Sequence, residues 1–154
     1  MKHHPAWLAA GLLVFVVLAC SVGKNTNTNS SSGGDANVET GPGIFIKEIH
    51  MAKDDGSGKP GDKTSSFEPG DRKIHSVATL KEPKPGTEMK FSWWIVDAGG
   101  AKDQKIKDID YTTGPDEQLI HGHLIYPINW PSGKYKVQVY VNGDLDRTIG
   151  YTIE

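Results

Sequence analysis

The sequence predicts an all-β fold, a seven-stranded antiparallel sandwich, carried behind a leader and a polar tether. Three observations point there. No stretch beyond residue 43 shows apolar residues at helical spacing, and period-2 alternation of apolar and polar residues returns about every ten to fifteen residues. Glycine (18) and proline (9) are frequent in the 154 residues, and those of the folded part fall between these runs, where a β domain places its turns.

The first element is residues 1–19. Lys2, His3 and His4 make a short basic start, and Ala6 to Ala19 is uncharged and apolar, shorter than a membrane-spanning helix and suited to a signal sequence. It ends in Val17-Leu18-Ala19-Cys20. This resembles the lipobox of bacterial lipoproteins, in which aliphatic and small residues precede a cysteine and the peptidase cuts just ahead of it. The resemblance implies acyl chains on Cys20 and a lipid anchor in the cell envelope. Several chains at about 0.8 kcal/mol per buried CH₂ hold far more firmly than one. Ser21 stands where an inner-membrane retention signal commonly has Asp, so if the host is Gram-negative the resemblance implies the outer membrane. Cys20 is the only cysteine, which excludes an intrachain disulfide and a thiolate metal site.

Residues 20–42 are Ser, Asn, Thr and Gly with scattered charge, too poor in apolar surface to offset the entropy of ordering. Roughly twenty such residues span about 25 Å as a flexible tether.

The domain, residues 43–154, opens with a strand at Ile44 to Ile49 and a Gly/Pro/Asp-rich loop through Asp54, Gly56, Pro60 and Gly61. The second strand is Lys73 to Leu80. Pro83, Pro85 and Gly86 precede the third, Met89 to Val96, in which Met89, Phe91, Trp93 and Ile95 share the core face. A turn at Ala98 to Ala101 leads to a charged edge strand at Lys105 to Tyr111, and Gly114-Pro115 leads to the fifth strand, Leu119 to Tyr126. Lys134 to Val141 is the cleanest alternation in the chain, and Asn142-Gly143 is a type I′ hairpin signal into the last strand, Leu145 to Ile153.

Gly133-Lys134-Tyr135-Lys136-Val137 resembles the Gly-x-Tyr-x-Cys stretch of immunoglobulin-type domains, with Val137 at the cysteine's place. The resemblance implies that Tyr135 makes a tyrosine corner and that Trp93 is the core tryptophan. It also implies that the missing disulfide's other position falls near Ser76 or Ala78, so the sandwich holds by packing alone. A fibronectin-III-like arrangement of the seven strands fits the same pattern. The stretch from Trp130-Pro131-Ser132-Gly133 through Asn142-Gly143 is also similar to small bacterial lipoproteins carrying one immunoglobulin-like domain, a group without assigned activity.

A net charge of −2 and a pI near 6.3 argue against nucleic-acid partners. No Walker A loop, Gly-x-Ser-x-Gly or His-Glu-x-x-His occurs, and no nucleophile can be tied to a base, so a non-enzymatic role is expected. Asp54, Asp55 and Asp62 lack the spacing and closing Glu of a calcium loop. Asp97, Asp103, Asp108, Asp110, Asp116 and Glu117 read as a solvated edge.

Two surfaces stand out. Alternation turns Trp94 outward with Ser92 and Lys90, and Tyr140 outward with Lys136 and Gln138 on what the immunoglobulin-like reading makes a neighbouring strand. Trp94, Tyr140, Lys136 and Gln138 are therefore the expected face for a protein partner. In the fifth strand Ile120, Leu124 and Tyr126 take the core, so His121 and His123 share the other face, about 7 Å apart. His75 points outward if Ile74, Ala78 and Leu80 point in, and an immunoglobulin-like pairing sets it beside the His-Gly-His stretch. Three surface imidazoles would then suit zinc, copper or nickel, with Gly122 lending backbone freedom. The expectation is thus an anchored binding or assembly module, with metal binding as the alternative.

Overall fold

The computed structural model describes residues 39–154; the leader, Cys20 and the tether as far as residue 38 lie outside the described residues. Nine strands follow in order: β1 (Ile46–Asp54), β2 (Pro60–Lys63), β3 (Ser66–Phe67), β4 (Lys73–Leu80), β5 (Glu88–Ala98), β6 (Ala101–Thr112), β7 (Leu119–Ile125), β8 (Gly133–Val141) and β9 (Asp144–Ile153). They form a four-stranded sheet in the order β2-β1-β4-β7 and a five-stranded sheet in the order β3-β9-β8-β5-β6. The seven expected strands are all present. The two additions, β2 and β3, are short ribbons in the segment expected to be loop; β2 has no buried residue, and β3 pairs in parallel with β9.

β1 differs most from expectation. Ile44 and Phe45, at 63% and 39% exposure, lie ahead of the strand, which runs on instead through His50 to Asp54, paired with β4 as far as Lys53. Asp146 explains the displacement. Its buried carboxylate accepts the backbone N–H groups of Ile44 (2.6 Å), Phe45 (3.0 Å) and Ile46 (2.9 Å), so a side chain holds this segment where a strand partner would. Asp146 reaches inward because β9 is bulged: Val139 pairs with Arg147 and Tyr140 with Leu145, leaving Asp146 as the extra residue. Unbroken alternation back from Ile149 would have buried Leu145, which is exposed. Thr40, assigned to the tether on composition, exchanges backbone hydrogen bonds with Thr148 at 2.9 and 2.7 Å.

The two tightest hairpin turns each use two consecutive residues at positive φ, Gly99-Gly100 between β5 and β6 and Asn142-Gly143 between β8 and β9. Between the sheets Met89, Phe91 and Trp93 of β5 meet Ile74, Ala78 and Leu80 of β4 and Val137, Val139 and Val141 of β8. The Tyr135 hydroxyl donates to the carbonyl of Pro131 at 2.6 Å, the corner its resemblance implied, and the ring stacks on Tyr151. Val137, at the cysteine's place, is fully buried beside Trp93, its partner in register, and Ser76 and Ala78 of the other sheet are buried too.

Gly122 pairs with Ser76 and faces the core. A Cβ there would stand 2.6 Å from Cγ of Phe91, while its φ is not positive. Glycine is required for space, not for the backbone freedom expected from sequence.

Two losses follow. Asp146→Ala strands three amides and lowers unfolding free energy by about 3 kcal/mol or more, at roughly 1–3 kcal/mol per unsatisfied buried group. Gly122→Ala drives a methyl into Phe91 and costs about 1–3 kcal/mol. Chemical denaturation measures both, and stability within 0.5 kcal/mol of wild type, roughly the scatter of a neutral surface change, would contradict either assignment.

Candidate metal centre

On the outer face of the four-stranded sheet, strand register assembles three histidines. β4 lies between β1 and β7, and its His75 pairs with Ala52 on one side and His123 on the other. The next outward residue of β4, Val77, pairs with His121. Period-2 alternation along β7 then sets both of its imidazoles beside the ring of His75. Ring centroids lie 5.3 Å apart for His75 and His121, 5.5 Å for His75 and His123, and 6.4 Å for His121 and His123. One nitrogen from each falls within 4.8 Å of the others.

Their burial is graded. His123 is exposed, His121 is half-buried and His75 has 0% exposure, where all three were expected at the surface. His75 does point outward, but the side chains around it close over its ring.

Asp54, the last residue of β1, holds His75 in place. Its Oδ2 lies 2.9 Å from Nε2 of His75 and 3.3 Å from Nζ of Lys73, and its Oδ1 accepts the N–H of Gly56 at 2.9 Å. The bond from His75, supported by those from Gly56 and Lys73, keeps the Asp54 carboxyl down at about 2, so it is a carboxylate throughout the physiological range. Nδ1 of His75 is buried without a hydrogen-bond partner, and so is Nδ1 of His121.

Burial first, and then the charge that neighbouring His75 would carry, hold both His121 and His123 below the ordinary histidine range. At neutral pH these rings are therefore neutral, the form that donates a lone pair to a metal. Neutral nitrogens with no thiolate suit zinc, copper or nickel, and the absence of carboxylate donors in the triad disfavours calcium and magnesium. Three nitrogens bound at about 2.0–2.1 Å stand about 3.4 Å apart, so rotations that close the present separations, all within 4.8 Å, by up to about 1.4 Å complete the geometry. Sequence alternation set all three histidines on this face. It missed Asp54, whose link to His75 spans 21 residues and carries no local signature.

The aromatic face lies on the other sheet. Trp94 pairs with Lys136, Ser92 with Gln138 and Lys90 with Tyr140, which separates the two aromatic residues by four positions, about 13 Å along the strands. Each ring is half-buried and covered by lysine: Lys105 and Lys136 lie 5.2 and 5.4 Å from the Trp94 ring, and Lys90 lies 4.5 Å from that of Tyr140. Trp94, Tyr140, Lys136 and Gln138 thus share a face without forming one open aromatic patch.

An immunoglobulin-like protein from Pseudomonas aeruginosa matches at a TM-score of 0.51 and 10% identity, over 79% of this chain and 100% of that one. The fold is immunoglobulin-like. The chain is also similar, at a TM-score of 0.39 and 15% identity, to the alkylpurine DNA glycosylase AlkC of Pseudomonas fluorescens, covering 70% of this chain and 30% of that one. For the C-terminal domain of Wzt the TM-score is 0.37 and the identity 8%, over 77% and 78% of the two chains. No family profile matches the sequence, and no curated protein does.

The lowered protonation of His121 and His123 sets the sign of a pH effect. Below about 6.5 the unfolded chain takes up protons that the folded rings refuse, so the metal-free protein loses stability as pH falls. The loss grows until the folded rings themselves protonate. Asp54 and Glu117 also have lowered values, but theirs add a loss only in the acid range below the ordinary carboxylate values. Melting temperature should drop between pH 7 and pH 5, and His121→Gln with His123→Gln should reduce that slope to the part left by His50, which burial also holds low. A wild-type slope no steeper than that of the double variant would contradict the assignment.

Proposed function

We propose that this chain is a lipid-anchored cell-envelope protein whose immunoglobulin-like domain binds a zinc or copper ion through His75, His121 and His123. One observation carries the metal reading: the buried Nδ1 of His75 has no protein partner and lies beside two imidazoles held neutral. A buried polar atom left unsatisfied costs about 1–3 kcal/mol, and a bound cation would remove that cost. The aromatic face supports a protein contact less well, because lysine already covers both rings. The anchor rests on Val17-Leu18-Ala19-Cys20 and the polar stretch after it, with the outer membrane the destination in a Gram-negative host. The role is binding and not catalysis, and no nucleic acid is involved.

Mass spectrometry of the mature protein should find acyl chains on Cys20, and Cys20→Ala should yield unprocessed or soluble product. Calorimetric titration of the tag-free mature chain in detergent should find one Zn²⁺ or Cu²⁺ per chain. His121→Ala with His123→Ala should weaken it at least tenfold, about 1.4 kcal/mol. Binding that survives the double variant unchanged removes the metal reading.

A further inference from the structure

We propose that Asp54 is the positioning residue of the three-histidine site: by accepting the proton on Nε2 of His75 it fixes the tautomer whose Nδ1 lone pair faces His121 and His123, making Nδ1 the donor to the metal. The consequence for metal rests on the proposed function, whereas the tautomer belongs to the metal-free protein.

A neutral imidazole carries one N–H and one lone pair, so whatever Nε2 bonds to decides what Nδ1 can do. Nε2 of His75 meets a carboxylate, which can only accept. In the neutral ring the proton therefore sits on Nε2 and the lone pair on Nδ1. With the ring at 0% exposure and Nδ1 unpartnered, no solvent-exposed group competes for that lone pair. Asp54 is itself held, because Oδ1 takes the Gly56 amide while Oδ2 takes His75 and Lys73. The β1–β2 turn thus aims the carboxylate, and the carboxylate aims the imidazole.

Asparagine at this position would break the arrangement in a specific way. Three donors converge on Asp54, from Gly56, His75 and Lys73. An amide has one oxygen to offer them. If that oxygen keeps the Gly56 N–H, the NH₂ group faces Nε2, which must then accept, and the proton moves to Nδ1 where it blocks the metal. The side chain keeps its size while the site loses its donor. Such outer partners typically contribute 10–100-fold in affinity.

The experiment uses the tag-free mature chain in detergent, labelled with ¹⁵N-histidine. Long-range proton–nitrogen correlation reads the tautomer of each ring without metal, and zinc titration reads affinity. In wild type His75 should be protonated at Nε2. Asp54→Asn should populate the Nδ1–H form and weaken zinc about 10–100-fold, in the range of lost outer partners. Asp54→Glu, which retains two acceptor oxygens, should recover part of both. Lys73→Met removes a charge from the same carboxylate and should keep the Nε2–H form. A wild-type His75 protonated at Nδ1, or Asp54→Asn binding zinc as tightly as wild type with an unchanged tautomer, would overturn the proposal. Should Asp54→Asn fail to fold, the wild-type tautomer and the Asp54→Glu response still decide. If wild type shows the Nε2–H tautomer but takes no zinc, the metal reading fails and with it the donor role of Nδ1, while the Asp54–His75 pairing stands as measured.

Discussion

Phe91 resting on the bare α-carbon of Gly122 is the contact on which the histidine face depends. The ring comes from β5 in one sheet and the glycine from β7 in the other, so the contact fixes β7 across the sandwich as well as along it. Any side chain at position 122 would push the edge strand away from the core. With Gly122 opposite Ser76, His123 must stand beside His75, and His121 beside Val77. A slip of one residue would turn His121 and His123 into the core and Ile120 and Leu124 into solvent. Core packing and site geometry are therefore one constraint seen from the two faces of the same strand.

The outer face pays a local energetic penalty for that arrangement. A leucine at position 75 would fill the space without leaving a lone pair unsatisfied. Instead the chain buries an imidazole beside two more, ties one of its nitrogens to a carboxylate and leaves the other without a hydrogen-bond partner. Other side chains, Ser76 and Tyr151 among them, also bury an unpartnered polar atom; what sets His75 apart is that its free nitrogen belongs to a cluster of three imidazoles. On the opposite sheet cations already lie over the faces of Trp94 and Tyr140, although the indole N–H of Trp94 is likewise buried without a partner.

Much of the fold was legible because alternation and turn chemistry agree along this chain. The bounds of β4 and β7 lie within a residue of expectation, and Asn142-Gly143 turns as its residue types require. Tyr135 makes its corner from a short local motif. What the sequence hid was non-local. β2 and β3 lack apolar alternation and exist because neighbouring edges offer backbone partners. The bulge at Asp146 inverts the parity of β9, so Leu145 reads as core and is not. The burial of His75 follows from what neighbouring strands set around it, and no property of its own segment encodes that. Covering of Trp94 by Lys105 and Lys136 likewise depends on two other strands meeting at one row.

The clasp at Asp146 also defines how the domain would bear a load. A pull on the chain at Glu39 meets the ion pair with Arg147 at 3.2 Å, then the paired backbone of Thr40 and Thr148, then the three amides gathered on one carboxylate. Tension entering from the N-terminal side is thus passed to β9, in the five-stranded sheet, before it can peel β1 from β4. The four-stranded sheet carrying the histidines lies beyond that clasp, so a load applied at Glu39 reaches β9 before it reaches the pairing of β1 with β4.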